Sequence, residues 1–305
     1  MLITMDFRII IASIIIMILL GVLLKKLELL KEDDVETLNN LVINIFLPCL
    51  IFGSLYTADI SLLPSLSILT LSTLLTSLIV GVCTYILLKS LSWDRKKIWS
   101  VIVVVVLGNT GFLGYPINQG IYGAEGLIRA VFCDCATSLT FIILSFILIL
   151  IFGGTIKVAL KKIVTFVPLW AIALGILFNF FNIPITSIGT TVVGYLGDAT
   201  IPLIMISLGL SLNLTGLKDN LKEVSLASFI KLIFYPLVAL GLLALLNVTG
   251  FNHTIALIEA SMSSAMLGLV LAISYNLDYK LTSDCIFTST LFSLITIPIF
   301  LSFII

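Results

Sequence analysis

The sequence predicts an all-α, polytopic membrane protein of ten transmembrane helices, arranged as two inverted five-helix repeats. Of its 305 residues, 60% are apolar and 10% are charged, and the apolar residues form runs of the length that a helix needs to cross a bilayer. The chain also matches itself without a gap when it is shifted by 154 residues: Leu20–Leu23 falls on Leu174–Leu177, and Pro48 falls on Pro202. Composition thus predicts membrane spans, and the self-match predicts their repetition.

The two repeats are residues 1–152 and 153–305, joined at the loop 153–162. Each repeat holds five apolar spans, and because five is odd, the second repeat enters the membrane from the opposite side. Inverted repeats are typical of secondary transporters, which bind substrate near the bilayer midplane where the repeats meet. The fold prediction therefore already favours transport.

The spans follow one another with short connections, so no soluble domain is predicted. The first ends at Lys25 and Lys26 and lacks the basic start and small-residue cleavage site of a signal peptide, which makes it a membrane helix. The second contains Pro48, and the fourth and ninth contain the interruptions described below. In order, the predicted spans are 7–24, 38–56, 64–88, 98–122, 127–152, 163–181, 188–211, 224–246, 254–275 and 284–305.

Lysine and arginine predict the orientation of these spans. Apart from Lys231, which lies inside a span, thirteen basic residues fall on the side of the loops that follow odd-numbered spans. The opposite side holds only Arg8 and Arg129, near the ends of their spans. Because cytoplasmic loops carry the excess of positive charge, both termini are expected outside the cell membrane. The thirteen are Lys25, Lys26, Lys31, Lys89, Arg95, Lys96, Lys97, Lys157, Lys161, Lys162, Lys218, Lys222 and Lys280.

Span four contains a predicted helix break at Gly108–Pro116. Its glycines loosen the helix, and Pro116 removes one backbone hydrogen bond. At the same depth, Asn109 and Thr110 add polar side chains, and Gly111 adds backbone that no side chain covers. Because such backbone is tolerated in hydrocarbon only where protein or water covers it, the break predicts a substrate site with amides facing an anion. The alternative is a proline kink that only shapes the packing.

The 154-residue shift carries this break onto Met262–Gly268 in span nine. Small and polar residues recur there, which predicts a second break that crosses the first, although Pro116 has no proline equivalent. Ordinary small-residue packing within a helix is the alternative for the serines. The matched pairs are Asn109 with Ser263, Thr110 with Ser264, and Gly114 with Gly268.

The break, the Asn39–Pro48 stretch of span two and the ten-span plan resemble the auxin efflux carrier family. That family includes bacterial malate and malonate permeases and has a fold like that of the bile acid/sodium symporters. The resemblance implies an elevator-type carrier whose two broken helices cross at the substrate site. It also implies a homodimer, with spans 1, 2, 6 and 7 as the scaffold and spans 3–5 and 8–10 as the moving transport unit.

Charged residues within membrane spans are costly and are candidates for function. Asp198 lies near the middle of span seven, and its equivalent under the shift is Asn44. This pair is a candidate for coupling to Na⁺ or H⁺, with bracing of the scaffold as the alternative. Asp134 and Glu259 are further candidates for coupling, and a water-exposed outer vestibule is the simpler interpretation of both.

Lys231, in span eight, is the natural counter-charge for a carboxylate substrate. Its long stem also allows the ammonium to reach the cytoplasmic surface, which is the expectation favoured for this residue. The distinction matters because only a lysine that faces the cavity would bind substrate.

Several other functions are disfavoured. No basic run predicts nucleic-acid binding, no phosphate-binding loop predicts ATP hydrolysis, and the five cysteines lack the spacing of a zinc site. The stretch Gly194–Asp198 misses the G-x-G-D pattern of intramembrane aspartyl proteases, so no enzyme is predicted and no cofactor. A channel would display filter-like sequence, and none is visible.

These observations predict a secondary carrier of a small organic anion such as malate or malonate, in contact with membrane lipid. The alternatives are a sodium-coupled carrier of larger amphipathic anions and an anion channel. The residues predicted to bind substrate are Asn109, Thr110, Gly111, Pro116, Ser263, Ser264, Gly268 and Lys231.

Overall fold

The computed structural model describes residues 7–31, 33–154, 164–211 and 220–304, and within these ranges the chain is helical, without a β-strand. Residues 155–163, with Lys157, Lys161 and Lys162 of the predicted connection, and the loop residue Lys218 lie outside them. In order, the helices are α1 (Phe7–Lys26), α2 (Asp34–Leu41), α3 (Leu47–Tyr56), α4 (Leu63–Ser90), α5 (Arg95–Val106), α6 (Tyr115–Phe152), α7 (Val167–Phe180), α8 (Ser187–Asp198), α9 (Thr200–Ser211), α10 (Leu221–Phe229), α11 (Tyr235–Leu245), α12 (Gly250–Ala260), α13 (Leu267–Ser274) and α14 (Tyr279–Ile304).

Three π-helical turns extend these helices. Val42–Phe46 joins α2 to α3, Thr110–Gly114 leads into α6, and Ile230–Phe234 joins α10 to α11. Pro48, Pro116 and Pro236 each stand in the first turn of the α-helix that continues a π-helical turn, so the missing proline amide falls where the two kinds of helix meet. The prolines therefore fit the helical register that these turns set.

Seven helical segments of the described chain are long and apolar enough to cross a membrane: Arg8–Lys26, Asp34–Tyr56, Pro64–Ser90, Thr110–Phe152, Ser187–Ser211, Leu221–Leu245 and Tyr279–Ile304. The protein is therefore polytopic and all-α, as predicted. The count of ten and the inverted arrangement stay predictions. Predicted spans four and nine are divided by the breaks into shorter helices, and α7 has 14 residues, less than the roughly 20 that span a bilayer.

Helix α6 is bent at Gly123, where the backbone has φ 63° and ψ −151°. This conformation is open to glycine and strained for other residues. A straight helix of 38 residues would be about 57 Å long, nearly twice the hydrocarbon thickness. The chain therefore turns at Gly123, between predicted spans four and five.

The described residues form two compact units. Unit 1 falls within 1–64, 115–131 and 162–213, and so contains α1–α3, the first part of α6, and α7–α9. Unit 2 falls within 65–114, 132–161 and 214–305, and contains most of α4, α5, the rest of α6, and α10–α14.

Unit 1 is held by two close helix contacts. Helix α1 meets α9 at Gly21 and Gly209, where a methyl group built on Gly21 would lie 3.0 Å from the Cα of Gly209. Helix α7 meets α3 at Gly175, where a methyl group would lie 2.8 Å from the Cβ of Leu55. The 154-residue shift converts one pair into the other, since Gly21 falls on Gly175 and Leu55 on Gly209. Small residues allow this approach of helices in lipid.

The core of unit 2 is rich in buried hydroxyl groups. Thr76 of α4 donates to the carbonyl of Ser72 at 2.8 Å, and Ser293 of α14 donates to that of Thr290 at 2.7 Å. Each of these two hydroxyls donates its hydrogen to a carbonyl of its own helix. It therefore occupies little space and needs no water molecule as a partner. The helices around the crossing described below can thus pack closely.

We expect Gly209→Val to destabilise the folded protein by about 2 kcal/mol or more, because the new side chain overlaps the backbone of α1. The measurement is thermal unfolding of the purified protein in detergent micelles. Gly241→Ala is the control, since a methyl group there meets nothing within 4 Å. Equal melting temperatures for both variants would contradict the close contact of α1 and α9.

Candidate functional site

The two predicted breaks pair with each other in unit 2. Helix α5 ends at Val106, helix α12 ends at Ala260, and the residues after each form an isolated antiparallel β-bridge between Gly108 and Ser264. The amide of Asn109 donates to the carbonyl of Ser263 at 2.7 Å, and that of Ala265 donates to the carbonyl of Leu107 at 2.9 Å. Each break therefore satisfies backbone groups that the other leaves without a helical partner.

This pairing is centred on Asn109 and Ser263, which fall on each other under the 154-residue shift. The break between α12 and α13 forms without a proline, because its backbone finds hydrogen bonds in the opposite break. Pro116 is buried in the first turn of α6, after the paired segment. The pairing holds the backbone of the break, and Pro116 lies outside the paired segment.

Thr110 connects the first break to Asp134 of α6. Its hydroxyl donates to the Asp134 carboxylate and lies 3.1 Å from the hydroxyl of Thr137. Asp134 is half-buried, and its expected place in an outer vestibule stays a prediction. The structure thus brings the predicted residues Thr110 and Asp134 together.

The second break is held by hydroxyl groups of α14. The Ser264 amide donates to the Ser289 hydroxyl at 3.2 Å, and the Thr290 hydroxyl donates to that of Ser263 at 3.3 Å. The Ser264 hydroxyl is buried and has no hydrogen-bond partner in the described part of the chain. It is therefore a polar group at the crossing that remains available to a ligand.

Three glycines of the first break each make room for a charged side chain. A methyl group on Gly108 would lie 3.2 Å from the Lys231 ammonium, and one on Gly111 would lie 3.8 Å from both oxygens of Asp134. On Gly114 it would overlap the Glu259 carboxylate. Gly108 and Gly114 thus allow a charged side chain to lie close to the backbone of the break. Gly268 has a similar role, since its methyl group would lie 3.2 Å from the Val103 carbonyl oxygen.

The expectation of an outer vestibule is wrong for Glu259. The residue is buried, near the C-terminal end of α12 and against Gly114. It also interacts electrostatically with Lys231. Within the described ranges, no three His, Cys, Asp or Glu side chains are grouped to hold a metal ion.

The expectation that Lys231 reaches the cytoplasmic surface is also wrong. Its side chain is fully buried, and its ammonium lies 3.9 Å from the centre of the Tyr235 ring. The ammonium has no hydrogen-bond partner among the described residues. The π-helical turn Ile230–Phe234 and the bare backbone of Gly108 direct and accommodate it. The Lys231 side-chain nitrogen is therefore buried at the crossing.

Tyr235 and Ser77 belong to this site and were not predicted. Their hydroxyls are 2.7 Å apart, and Ser77 also donates to the Val106 carbonyl at 3.2 Å, at the end of α5. Both residues carried a usable signal: Ser77 is the equivalent of Lys231 under the shift, and Tyr235 follows Lys231 by one helical turn.

Asn44 and Asp198 have different surroundings in unit 1. Asn44 is exposed in its π-helical turn and donates to the Asn40 carbonyl at 2.8 Å. Asp198 ends α8 and lines a pocket of about 290 Å³, together with residues of α3, Gln119 of α6, and other residues of α8. Their predicted pairing as one ion site therefore stays a prediction.

Comparison with known proteins matches this chain to the family described as membrane transport protein, over residues 9–162 and 151–301. A protein of Methanothermobacter thermautotrophicus named an uncharacterized transporter is 42% identical over 287 residues, which cover 94% of this chain and 95% of the relative. A second uncharacterized transporter, of Methanocaldococcus jannaschii, is 38% identical over 293 residues, again 94% of this chain and 95% of the relative.

We expect Thr110→Val to lower the free energy of unfolding by about 2 kcal/mol, because the isosteric side chain leaves the Asp134 carboxylate without this hydroxyl donor. Thr110→Ser keeps the donor and should cost about 1 kcal/mol or less. Denaturant titration in detergent micelles compares the two. A serine variant as unstable as the valine variant would show that the methyl group, and not the hydrogen bond, matters.

Proposed function

The chain belongs to the auxin efflux carrier-like family of membrane transport proteins, and from this premise we propose that it is a secondary transporter of a small organic anion. The membrane crossed is the cytoplasmic membrane, with both termini outside. The substrate class is a small carboxylate, with a dicarboxylate such as malate or malonate as the leading candidate.

The observation that carries this proposal is the buried ammonium of Lys231 beside the paired breaks. Burying a charge away from water costs several kcal/mol, which an oppositely charged partner offsets. Glu259 interacts with Lys231 only electrostatically in the described structure, and the ammonium keeps its hydrogen-bond donors. A substrate carboxylate would accept these hydrogen bonds and complete the compensation.

Polar groups of the breaks fit the rest of such a substrate. The Ser264 hydroxyl needs a hydrogen-bond partner, and the side chain of Asn109 is buried at the centre of the crossing. The helical segments that begin at Thr110 and at Leu267 carry partial positive charge at these N-terminal ends, which favours an anion. Together with Lys231, these groups would bind one carboxylate by charge and a second polar group by hydrogen bonds.

Transport would proceed by an elevator-type movement of the substrate-binding unit. The resemblance implies this mechanism, and the division of the described helices into two compact units supports it. The paired breaks, with Lys231, Thr110 and Asp134, all belong to unit 2, so one unit holds the groups proposed to bind substrate.

Lys231 also distinguishes this proposal from a sodium-coupled carrier of larger amphipathic anions. Two unit positive charges about 4 Å apart repel each other by about 4 kcal/mol at an effective dielectric constant near 20. A fixed ammonium at the crossing therefore disfavours a sodium ion at the same place. We propose that transport is driven by a proton gradient or the membrane potential.

We expect Lys231→Met to reduce uptake of radiolabelled malate or malonate into proteoliposomes at least about 30-fold, since loss of one partner of a buried charged pair costs about 2 kcal/mol or more. Lys231→Arg keeps the charge and should retain part of the activity. If neither substrate is taken up by the wild-type protein, a screen of other small carboxylates by thermal shift identifies the anion for the same comparison.

Lys89→Met is the matched control for this substitution. Lys89 also lies over a tyrosine ring, 5.7 Å from the centre of Tyr85, but it is exposed at the end of α4. Transport by this variant should equal that of the wild type. Normal anion transport by a folded Lys231→Met protein would refute the assignment of the counter-charge.

Replacing Na⁺ by K⁺ on both sides of the proteoliposome membrane should change the initial rate of anion uptake by less than about twofold, because the Lys231 ammonium supplies the cation at the crossing. A strict requirement for Na⁺ would favour the sodium-coupled alternative. A saturable rate in both salts would also separate a carrier from a channel, whose flux does not saturate in this way.

A further inference from the structure

The pocket of unit 1 contains a carboxylate at membrane depth that has no partner. Asp198 lies in the middle of the membrane-length segment Ser187–Ser211 and makes no hydrogen bond or ion pair with any described residue. Carboxylates at this depth are rare, and they face a cavity or a partner when they occur. Asp198 is exposed and lines the 290 Å³ pocket, so a partner bound in the pocket would lie beside its carboxylate.

A second acceptor in the same pocket also lacks a donor. The Oε1 atom of Gln119 is buried and has no hydrogen-bond partner in the described part of the chain. A buried amide oxygen without a donor is costly, and few occur in native proteins. Two independent acceptors, one charged and one neutral, therefore line one pocket.

Three of the hydroxyl groups that line the pocket already donate their hydrogens to backbone carbonyl groups. Ser54 donates to the Leu50 carbonyl at 2.7 Å, Thr57 to the Gly53 carbonyl at 3.1 Å, and Thr190 to the Ser187 carbonyl at 2.9 Å. A hydroxyl has one hydrogen, so these three oxygens can only accept from a ligand. Tyr56 differs, since its oxygen accepts from the Ile185 amide at 3.4 Å and its hydrogen stays available.

The remaining lining is apolar or aromatic and includes Leu50, Phe52 and Val193. A bare metal ion would leave most of a 290 Å³ pocket unfilled, whereas this volume is close to the lower end of small-molecule sites. The lining thus suits a hydrocarbon body, and the acceptors suit a donor group with positive charge.

We propose that this pocket binds an organic ammonium ion: a primary amine whose charge pairs with Asp198, whose N–H groups reach Gln119, and whose short apolar body lies against the α3 and α8 side chains. This site is separate from the anion site proposed for unit 2, and neither depends on the other. The ammonium belongs either to a free amine or to the head group of a lipid.

The test is isothermal titration of the full-length protein, in detergent micelles free of amino lipids, with phenethylamine. The wild type should bind phenethylamine and should bind 3-phenylpropionate, which carries a carboxylate on the same body, at least about 30-fold more weakly. Asp198→Asn should weaken phenethylamine binding by a similar factor. Gln119→Leu removes only the neutral acceptor and should weaken it less.

Asp59→Asn is the control for the change of a carboxylate to an amide. Asp59 is exposed in the loop after α3 and lies outside the pocket lining, so amine binding should not change. Thermal unfolding checks that each variant is folded. If Asp198→Asn does not fold, the preference for amine over carboxylate in the wild type and the Gln119→Leu variant still test the proposal.

Three results would overturn the proposal: no binding of phenethylamine by the wild type at 10 mM, equal binding of 3-phenylpropionate, or unchanged binding by folded Asp198→Asn. Displacement of the amine by 150 mM NaCl but not by equal ionic strength of a bulky cation would identify an inorganic cation site instead. In nanodiscs, competition by phosphatidylethanolamine but not phosphatidylglycerol would identify a lipid head group as the source of the ammonium.

Discussion

The structure depends on one constraint: backbone groups exposed by a broken helix in hydrocarbon must find partners within the protein. Here the two breaks supply each other, through the hydrogen bonds of Asn109 with Ser263 and of Ala265 with Leu107. Neither break would be stable in lipid alone, so the pairing also fixes where α5 and α12 end. The depth of the crossing, and hence of every group around it, follows from this mutual satisfaction of backbone atoms.

The constraint explains why glycine recurs in the first break. A side chain from a surrounding helix can approach a backbone most closely where that backbone lacks a Cβ. Gly108 and Gly114 admit Lys231 and Glu259 in this way, and Gly111 lies at ordinary contact distance from Asp134. Opposite charges that lie near each other lower the free-energy cost of burying each charge. Lys231 has no hydrogen-bond partner among the described residues, so this cost is only partly offset. The break is thus both an interruption of the helix and the place where charged side chains from neighbouring helices lie close together.

The sequence predicted the helical fold and both breaks, because composition, glycine and proline report directly on the backbone and the internal repeat doubles each signal. It failed for Lys231 and Glu259. Their positions along a span specify depth, but whether a long side chain turns toward the crossing or toward water depends on local helix geometry. The π-helical turn at Ile230–Phe234, which no residue pattern identified, sets the direction of Lys231. Tyr235 and Ser77 were missed because aromatic and hydroxyl residues are common in membrane helices and carry little individual information.

Charge breaks the symmetry that the backbone keeps. Under the 154-residue shift, Lys231 corresponds to Ser77, Glu259 to Val105, Asp134 to Thr288 and Asp198 to Asn44, so each of these charged residues has an uncharged equivalent. The paired breaks and the glycine contacts of unit 1 follow the repeat, because the need to satisfy backbone groups and to pack helices closely in lipid is the same in both halves. Ligand recognition does not act equally on the two halves, since the one lysine at the crossing comes from the second half. A symmetric set of charges would offer two equivalent orientations, whereas a single lysine at the crossing defines one. The repeat therefore accounts for the architecture, and the departures from it mark the groups that select a ligand.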